Sequence, residues 1–172
     1  IPAEDVREVI AGIGDRGALK DVDVVLSGYL GGDDIADVVV DAVAQVKELN
    51  PDAVYSCDPV MGNAKSGCHV SDNIPPLLRE KVVPVADIIC PNQFELGYLT
   101  GIDCFDLDST LKGIEAAKEM GPSTVLVTSV ERPDQPDGVL EMIASDDTGT
   151  WIVETPRLPF KRNGSGDVAC AL

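Results

Sequence analysis

Apolar positions along the chain alternate between a helical period and short continuous runs. Val6, Val9, Ile10 and Ile13 recur at i, i+3, i+4 and i+7, one face of a first helix with Pro2 at its start. Val22 to Leu26 follows as a short apolar strand. Ile35, Val38, Val39, Ala42, Val43, Val46 and Leu49 mark a second helix, capped by Asp33 or Asp34 and closed by Asn50-Pro51. Ala53 to Cys57 is the next strand. Ser71 to about Val83 predicts a helix whose first turn takes Pro75 and Pro76, and Ala86 to Cys90 another strand. Two more helices, Asn92 to Leu99 and Asp108 to Met120, stop at Gly101 and Gly121, and Val125 to Val130 is a buried strand. Strand alternating with helix at this spacing predicts a mostly parallel sheet covered on both faces. Beyond Pro133 the pattern changes, and Val139 to Ala144 and Thr150 to Glu154 flank a Ser-Asp-Asp-Thr-Gly turn as an antiparallel hairpin.

In an open parallel sheet the ligand site lies outside the carboxyl ends of the strands. Three polar words stand there: Ser27-Gly28-Tyr29-Leu30-Gly31, Asp58-Pro59-Val60-Met61-Gly62 and Pro91-Asn92-Gln93-Phe94-Glu95. Each also has a purely local reading, as a plain turn, a turn initiator and a capping box respectively. A fourth word, Arg162-Asn163-Gly164-Ser165-Gly166-Asp167, carries a Gly-x-Gly turn into the start of a helix. Unpaired N–H groups of Gly164, Ser165 and Gly166, with the helix dipole, make a seat for an anion, and Asp167 stands beside it as a candidate base. A helix cap is the local alternative. Asp58 and Glu95 converge where phosphates would lie, and hard oxygen donors that leave waters in place suit Mg²⁺.

Composition narrows the partners. With 13 basic against 30 acidic residues the formal charge is −17, so nucleic acid or an anionic membrane would be repelled. A phosphate-bearing ligand must therefore be held by helix starts and a metal ion rather than by a basic field. The five cysteines lack C-x-x-C spacing and read as reduced thiols of a cytoplasmic protein. No apolar run approaches the ~20 residues of a membrane span. At 172 residues the chain predicts a single domain. It opens at Ile1-Pro2 without Met and stops shortly into the helix begun by the Gly-x-Gly turn, which suggests an internal portion of a longer protein.

The words Leu26-Ser-Gly-Tyr-Leu-Gly31, Cys57-Asp-Pro-Val-Met-Gly62, the run from Glu80 through Cys90-Pro-Asn-Gln-Phe-Glu95 to Leu96, Gly121-Pro-Ser-Thr-Val-Leu-Val-Thr-Ser129 and Gly164-Ser-Gly-Asp167 occur together in order. In these the chain resembles the pyridoxal (vitamin B6) kinases of the ribokinase-like superfamily. The resemblance implies a three-layer α/β/α sandwich with a mostly parallel central sheet and an antiparallel hairpin near the C-terminal part. It implies ATP-dependent phosphorylation of the 5′-hydroxymethyl group of pyridoxal, with Asp167 as base and Gly164, Ser165 and Gly166 as anion hole. Asp58 and Glu95 would stand around Mg²⁺ and the ATP phosphates. Cys90, Asn92, Thr128, Ser129, Arg157 and Leu158 would fall along the nucleotide, Tyr29 would lie against the pyridine ring, and the protein would be a homodimer.

Some positions depart from the family pattern. Cys90 stands where relatives have a Thr that helps hold a monovalent cation, and a thiol suits a hard ion poorly. Ser129 and Thr128 replace a Lys of some members, and Asn63 replaces an Asp. Lys65 and His69 fall in a loop matching a lid over ATP, where solvated side chains are the local alternative. Hydroxymethylpyrimidine kinase, with similar Asp-Pro-Val-Met and Pro-Asn words, is the alternative within the superfamily, although its final turn usually ends in Cys where this chain has Asp167. A non-catalytic binder of pyridoxal or nucleotide is the alternative outside it.

Overall fold

The structure is a computed structural model that describes residues 1–159 and 164–172. The Arg162-Asn163 start of the glycine-rich word lies outside the described residues. In chain order the elements are α1 (Ala3–Gly14), β1 (Val24–Ser27), α2 (Ile35–Leu49), β2 (Val54–Cys57), β3 (Gly62–Asn63), β4 (Gly67–Cys68), α3 (Ile74–Leu77), β5 (Ile88–Ile89), α4 (Gln93–Thr100), α5 (Leu107–Lys118), β6 (Thr124–Val130), β7 (Val139–Ser145), β8 (Thr150–Pro156) and α6 (Ser165–Ala171). The main sheet runs β1-β2-β5-β6-β7-β8. Its β1, β2, β5 and β6 are parallel, and β7 and β8 join antiparallel as the expected hairpin.

Because side chains alternate across a strand, the register sorts the sheet into two faces. Tyr55, Cys57, Ile89, Val125, Val127 and Ile143 all point to one face and are fully buried. They form one core with Ala36 and Val43 of α2, Leu96 and Leu99 of α4, and Ile114 and Ala117 of α5. The opposite face carries Val24, Leu26, Val54 and Ser56, and there α6 packs, with Ser56 Oγ donating to the Cys170 carbonyl at 3.0 Å. Helices on both sides of a largely parallel sheet make the three-layer α/β/α sandwich that the resemblance implies.

One expectation is corrected, and two features are added to the sequence reading. The predicted apolar face of α1 is poorly covered: Val9 and Ile13 are exposed, and Ala3 is the buried residue of the helix. The helix expected over Ser71–Val83 is broken into α3, a π turn at Leu78–Val82 closed by Val83 N–H on the Leu78 carbonyl, and a 3₁₀ turn at Val83–Val85. Proline at 75, 76 and 84 removes N–H donors at both ends of that stretch, so a continuous i→i−4 ladder is unavailable. The loop after β2 forms a short β3–β4 hairpin that the periodicity did not indicate.

Candidate active site

The three strand-end words and the glycine-rich turn meet at one edge of the sheet. Gly164 adopts φ 82°, a left-handed conformation that glycine takes without Cβ strain, and turns the chain into α6. Two more glycines mark where the elements meet, at ordinary contact distance. A Cβ added at Gly28 would lie 4.0 Å from Asp167 Oδ1, and one added at Gly166 would lie 3.6 Å from Asp58 Oδ2. Asp167 thus faces the loop after β1, and the start of α6 stands against the loop after β2.

Glu95 joins the second and third words. Its Oε1 accepts hydrogen bonds from the N–H of Met61 (2.9 Å) and Gly62 (3.2 Å), and its Oε2 from the N–H of Asn92 (2.9 Å). Asn92 returns the bond, its side-chain oxygen accepting from Glu95 N–H at 3.0 Å, and its Nδ2 donates to the Gly62 carbonyl at 2.7 Å. The local and functional readings therefore hold together: the capping box of α4 also clamps the Asp58 loop. Burial pushes the Glu95 carboxyl up from its ordinary value, and the three backbone donors oppose it.

Among the described residues no such donor reaches Asp58. It is 7% exposed, and burial, with the negative charges of Glu95 and Asp167, pushes its pKa up to about 7. Its perturbers include no basic side chain. Among the described residues no group of three or more His, Cys, Asp or Glu is close enough to enclose a metal ion. The residues fit a divalent cation that brings most of its own oxygen ligands, since Asp58 offers a hard oxygen in an acidic surrounding that a cation would relieve.

A cleft of about 870 Å³ opens beside this edge, lined by Asn92, Lys65, Ser129, Glu131, Arg157 and Ser165 among others. That volume suits a nucleotide-sized ligand. Ser129 reaches the cleft through an irregularity of β6: the β6–β7 register shifts between Val127 and Val130, and Ser129 takes φ 52°, rare for a non-glycine residue. Thr128 N–H meanwhile donates to the Pro91 carbonyl at 2.9 Å, tying β6 to the Asn92 loop. Arg157 is held at the rim by Glu131 at 3.3 Å.

Other expected residues are placed less centrally. The Tyr29 side chain is exposed beside the site. Leu158 is exposed and does not line the cleft, and Cys90 is buried, its thiol turned toward Cys170 and away from the cleft. Lys65 lines the cleft from the β3–β4 hairpin, and His69 acts electrostatically on Glu95. Sequence reasoning missed Gln93, whose Oε1 accepts from Glu131 N–H and whose Nε2 donates to Thr110, both at 2.9 Å. It also missed Phe94 and Tyr98, a tilted aromatic pair 5.3 Å apart that lines the cleft. A polar residue directly after an N-cap was the available signal for Gln93, but nothing local says that it turns inward.

A family model described as phosphomethylpyrimidine kinase matches residues 7–172. Pyridoxal kinase PdxY of Corynebacterium diphtheriae is 67% identical over 172 residues, 100% of this chain and 61% of the relative. That of Leifsonia xyli is 66% identical with the same coverage. Pyridoxal kinase from Leishmania donovani in complex with ADP and pyridoxamine superposes with a TM-score of 0.90 at 29% identity, over 99% of this chain and 62% of that one. The chain thus spans about three fifths of the length of the relatives it matches. From the match over residues 7–172 and the ribokinase-like sheet with its glycine-rich turn at the carboxyl edge, the chain belongs to the phosphomethylpyrimidine kinase family, and the relatives that it resembles there are pyridoxal kinases.

Proposed function

We propose that the protein containing this chain transfers the γ-phosphoryl group of ATP to the 5′-hydroxymethyl group of pyridoxal and related B6 vitamers, giving pyridoxal 5′-phosphate and ADP. The observation that carries the proposal is the position of Asp167, delivered by the first turn of α6 between the Gly28 loop and Asp58. Asp167 takes the hydroxyl proton as the alcohol oxygen attacks the γ-phosphorus, and the N–H groups of Gly164, Ser165 and Gly166 hold the charge that spreads over the transferred group. Phosphoryl transfer needs alignment and fixed dipoles more than covalent help, and a helix start supplies dipoles without reorganisation.

Mg²⁺ bound with the nucleotide would neutralise phosphate charge in this acidic setting. Asp58 would hold it through water, while Glu95, with its oxygens committed to three N–H donors, positions the Asp58 loop. Asn92, Ser129 and Arg157, which line the cleft, would be nucleotide contacts, with Thr128 next to Ser129 on β6. In the same proposal Cys90 and Leu158 border the nucleotide through backbone atoms, Tyr29 covers the vitamin ring, the protein works as a cytoplasmic homodimer, and residues 1–172 form one kinase domain. Among the described residues no helix is long and apolar enough to cross a membrane.

A second reading rests on the description of the matching family model, which names a pyrimidine substrate. Both are tested by incubating the whole protein with Mg²⁺·ATP and either pyridoxal or hydroxymethylpyrimidine, following ADP release and the phosphorylated product. Turnover of pyridoxal with little of the pyrimidine is expected. The reverse preference would replace the first reading by the second, and binding without ADP release would leave a non-catalytic binder.

A further inference from the structure

A serine at φ 52° persists only where its surroundings over-determine it, so the Ser129 turn must be held from both sides. Before it, Thr128 N–H donates to the Pro91 carbonyl at 2.9 Å. After it, Val130 is in register with Glu141 of β7, and both carboxylate oxygens of the buried Glu141 accept from Arg132, at 2.8 and 2.9 Å. Glu131 stands between these anchors and faces the start of α4. There the backbone carbonyls already serve the helix, that of Asn92 accepting from Leu96 N–H at 2.9 Å. The Gln93 side chain takes over from the backbone, its Oε1 accepting from Glu131 N–H at 2.9 Å.

The amide of Gln93 fits only one way round. Thr110 Oγ1 donates its proton to the Asp106 carbonyl at 2.6 Å and therefore accepts from Gln93 Nε2 at 2.9 Å, while Glu131 N–H, a donor, requires the amide oxygen. Gln93 is 9% exposed and Thr110 is fully buried, so neither bond can be exchanged for water without loss. The same amide fixes the residue whose carboxylate meets the Arg157 guanidinium at 3.3 Å. That exposed ion pair contributes little by itself, and the buried amide settles where Glu131 stands. Gln93 thus joins α5, the start of α4 and the end of β6 at the wall of the cleft.

We propose that Gln93 is a positioning residue for the nucleotide: through Glu131 N–H it holds the Ser129 turn and the Glu131–Arg157 pair against the cleft, and Thr110 fixes its orientation. The proposal rests on the kinase reading for the identity of the ligand. It concerns nucleotide binding and not the transfer step. In that reading the vitamin lies by Gly28 and Tyr29, at another strand end, so its affinity does not depend on Gln93. A Glu at this position would set a carboxylate oxygen against a hydroxyl whose proton is already engaged, beside a cleft that receives phosphates. One donor and one acceptor on a single planar group are what the place requires.

The test uses the whole protein and titration calorimetry with Mg²⁺·ADP and, separately, with pyridoxal, beside amide exchange of the peptide that holds Glu131. Gln93→Met keeps the volume and the helix and removes both bonds. It should weaken ADP binding on the order of 10-fold, the equivalent of one hydrogen bond to a buried group, quicken exchange at Glu131 and leave pyridoxal binding nearly unchanged. Thr110→Val, at a site that does not line the cleft, should weaken ADP binding in the same sense, and Thr110→Ser should bind as the parent does. Combining Gln93→Met with Thr110→Val should be no weaker than Gln93→Met alone. An unaltered ADP constant in Gln93→Met overturns the proposal, as does an equal loss for ADP and pyridoxal, additive losses in the double variant, or a Thr110→Ser that behaves as Thr110→Val. Where Gln93→Met does not fold, the two Thr110 variants decide. A parent that binds no ADP refutes the proposal together with the kinase reading, whereas ADP binding that depends on Gln93 in a protein that phosphorylates nothing refutes the kinase reading alone.

Discussion

Asp167, Asp58 and Glu95 are three acids within one small volume, and their hydrogen bonds assign them different work. Glu95 is saturated by backbone donors, Asp58 is buried with none among the described residues, and Asp167 stands exposed at the start of α6. Replacing Asp167 by Asn in the whole protein keeps shape and removes the base, so kcat for pyridoxal should fall by roughly 10²- to 10⁴-fold with a small change in the KM for ATP. Steady-state kinetics of the purified variant checks this, and unchanged turnover would return Asp167 to a plain helix-start residue. For Asp58 the sign follows from its raised folded value of about 7 against the ordinary 3.8. The folded state binds that proton more tightly than the unfolded state, so stability is fully present below the ordinary value and is lost as pH rises through about 7. Asp58→Asn cannot ionise. It should melt higher than the parent at about pH 8, and the difference should vanish near the ordinary aspartate value of 3.8. Added Mg²⁺ should raise the parent's melting temperature at the upper pH and leave the variant's unchanged; scanning calorimetry across pH reads both effects.

At the scale of elements, capping and close approach matter more than propensity. Asp106 caps α5, accepting from Ser109 N–H at 2.8 Å while its own N–H donates to the Ser109 hydroxyl at 3.1 Å. Within α5, Gly113 is a poor helix former by propensity, yet a Cβ there would lie 2.8 Å from Cys104 Sγ and 3.1 Å from Leu96 Cδ2. Packing of α5 on α4 thus requires the missing side chain. Gly113→Val should destabilise the protein by about 1–3 kcal/mol through overpacking, measurable by urea denaturation. A stabilised variant would mean that propensity outweighs the α4–α5 contact. The strain at Ser129 belongs to the same scale: the irregularity that lifts it from the β6–β7 ladder carries a residue into the cleft, and such backbone outliers gather at functional sites.

For the molecule as a whole, the two faces of the sheet are unequally covered. The Tyr55 face is packed by α2, α4 and α5, whereas on the other face Val24 and Leu26 of the edge strand β1 are 58% and 48% exposed. Parallel strands are ordinarily buried on both sides, and an apolar edge strand is a template for association. The 172-residue polypeptide expressed alone should therefore bind a hydrophobic dye such as ANS and self-associate as its concentration rises, despite its charge of −17. Replacing Val24 and Leu26 together by Lys should reduce both signals in fluorescence and light-scattering titrations. Dye-free, monomeric behaviour of the unaltered polypeptide would show that the exposed face is harmless.

Much of this was legible along the chain. Helical periodicity placed α2 and α5 to within a few residues, the continuous apolar run located β6, and the hairpin of β7 and β8 followed from two runs around a turn. The four polar words that build the site were visible as words, since local turn and cap chemistry is written in adjacent residues. What they do to one another was decided by the fold. Glu95 became a clamp because the register of β2 and β5 brings Met61 and Gly62 within reach of the Asn92 cap, and Cys90 turned from the cleft because strand alternation aims it at α6. The broken α3 region, the poorly covered face of α1 and the strained Ser129 have the same origin. Periodicity reports which positions could be buried together, whereas burial, register and the charge surrounding Asp58 arise only when segments distant in sequence share one space.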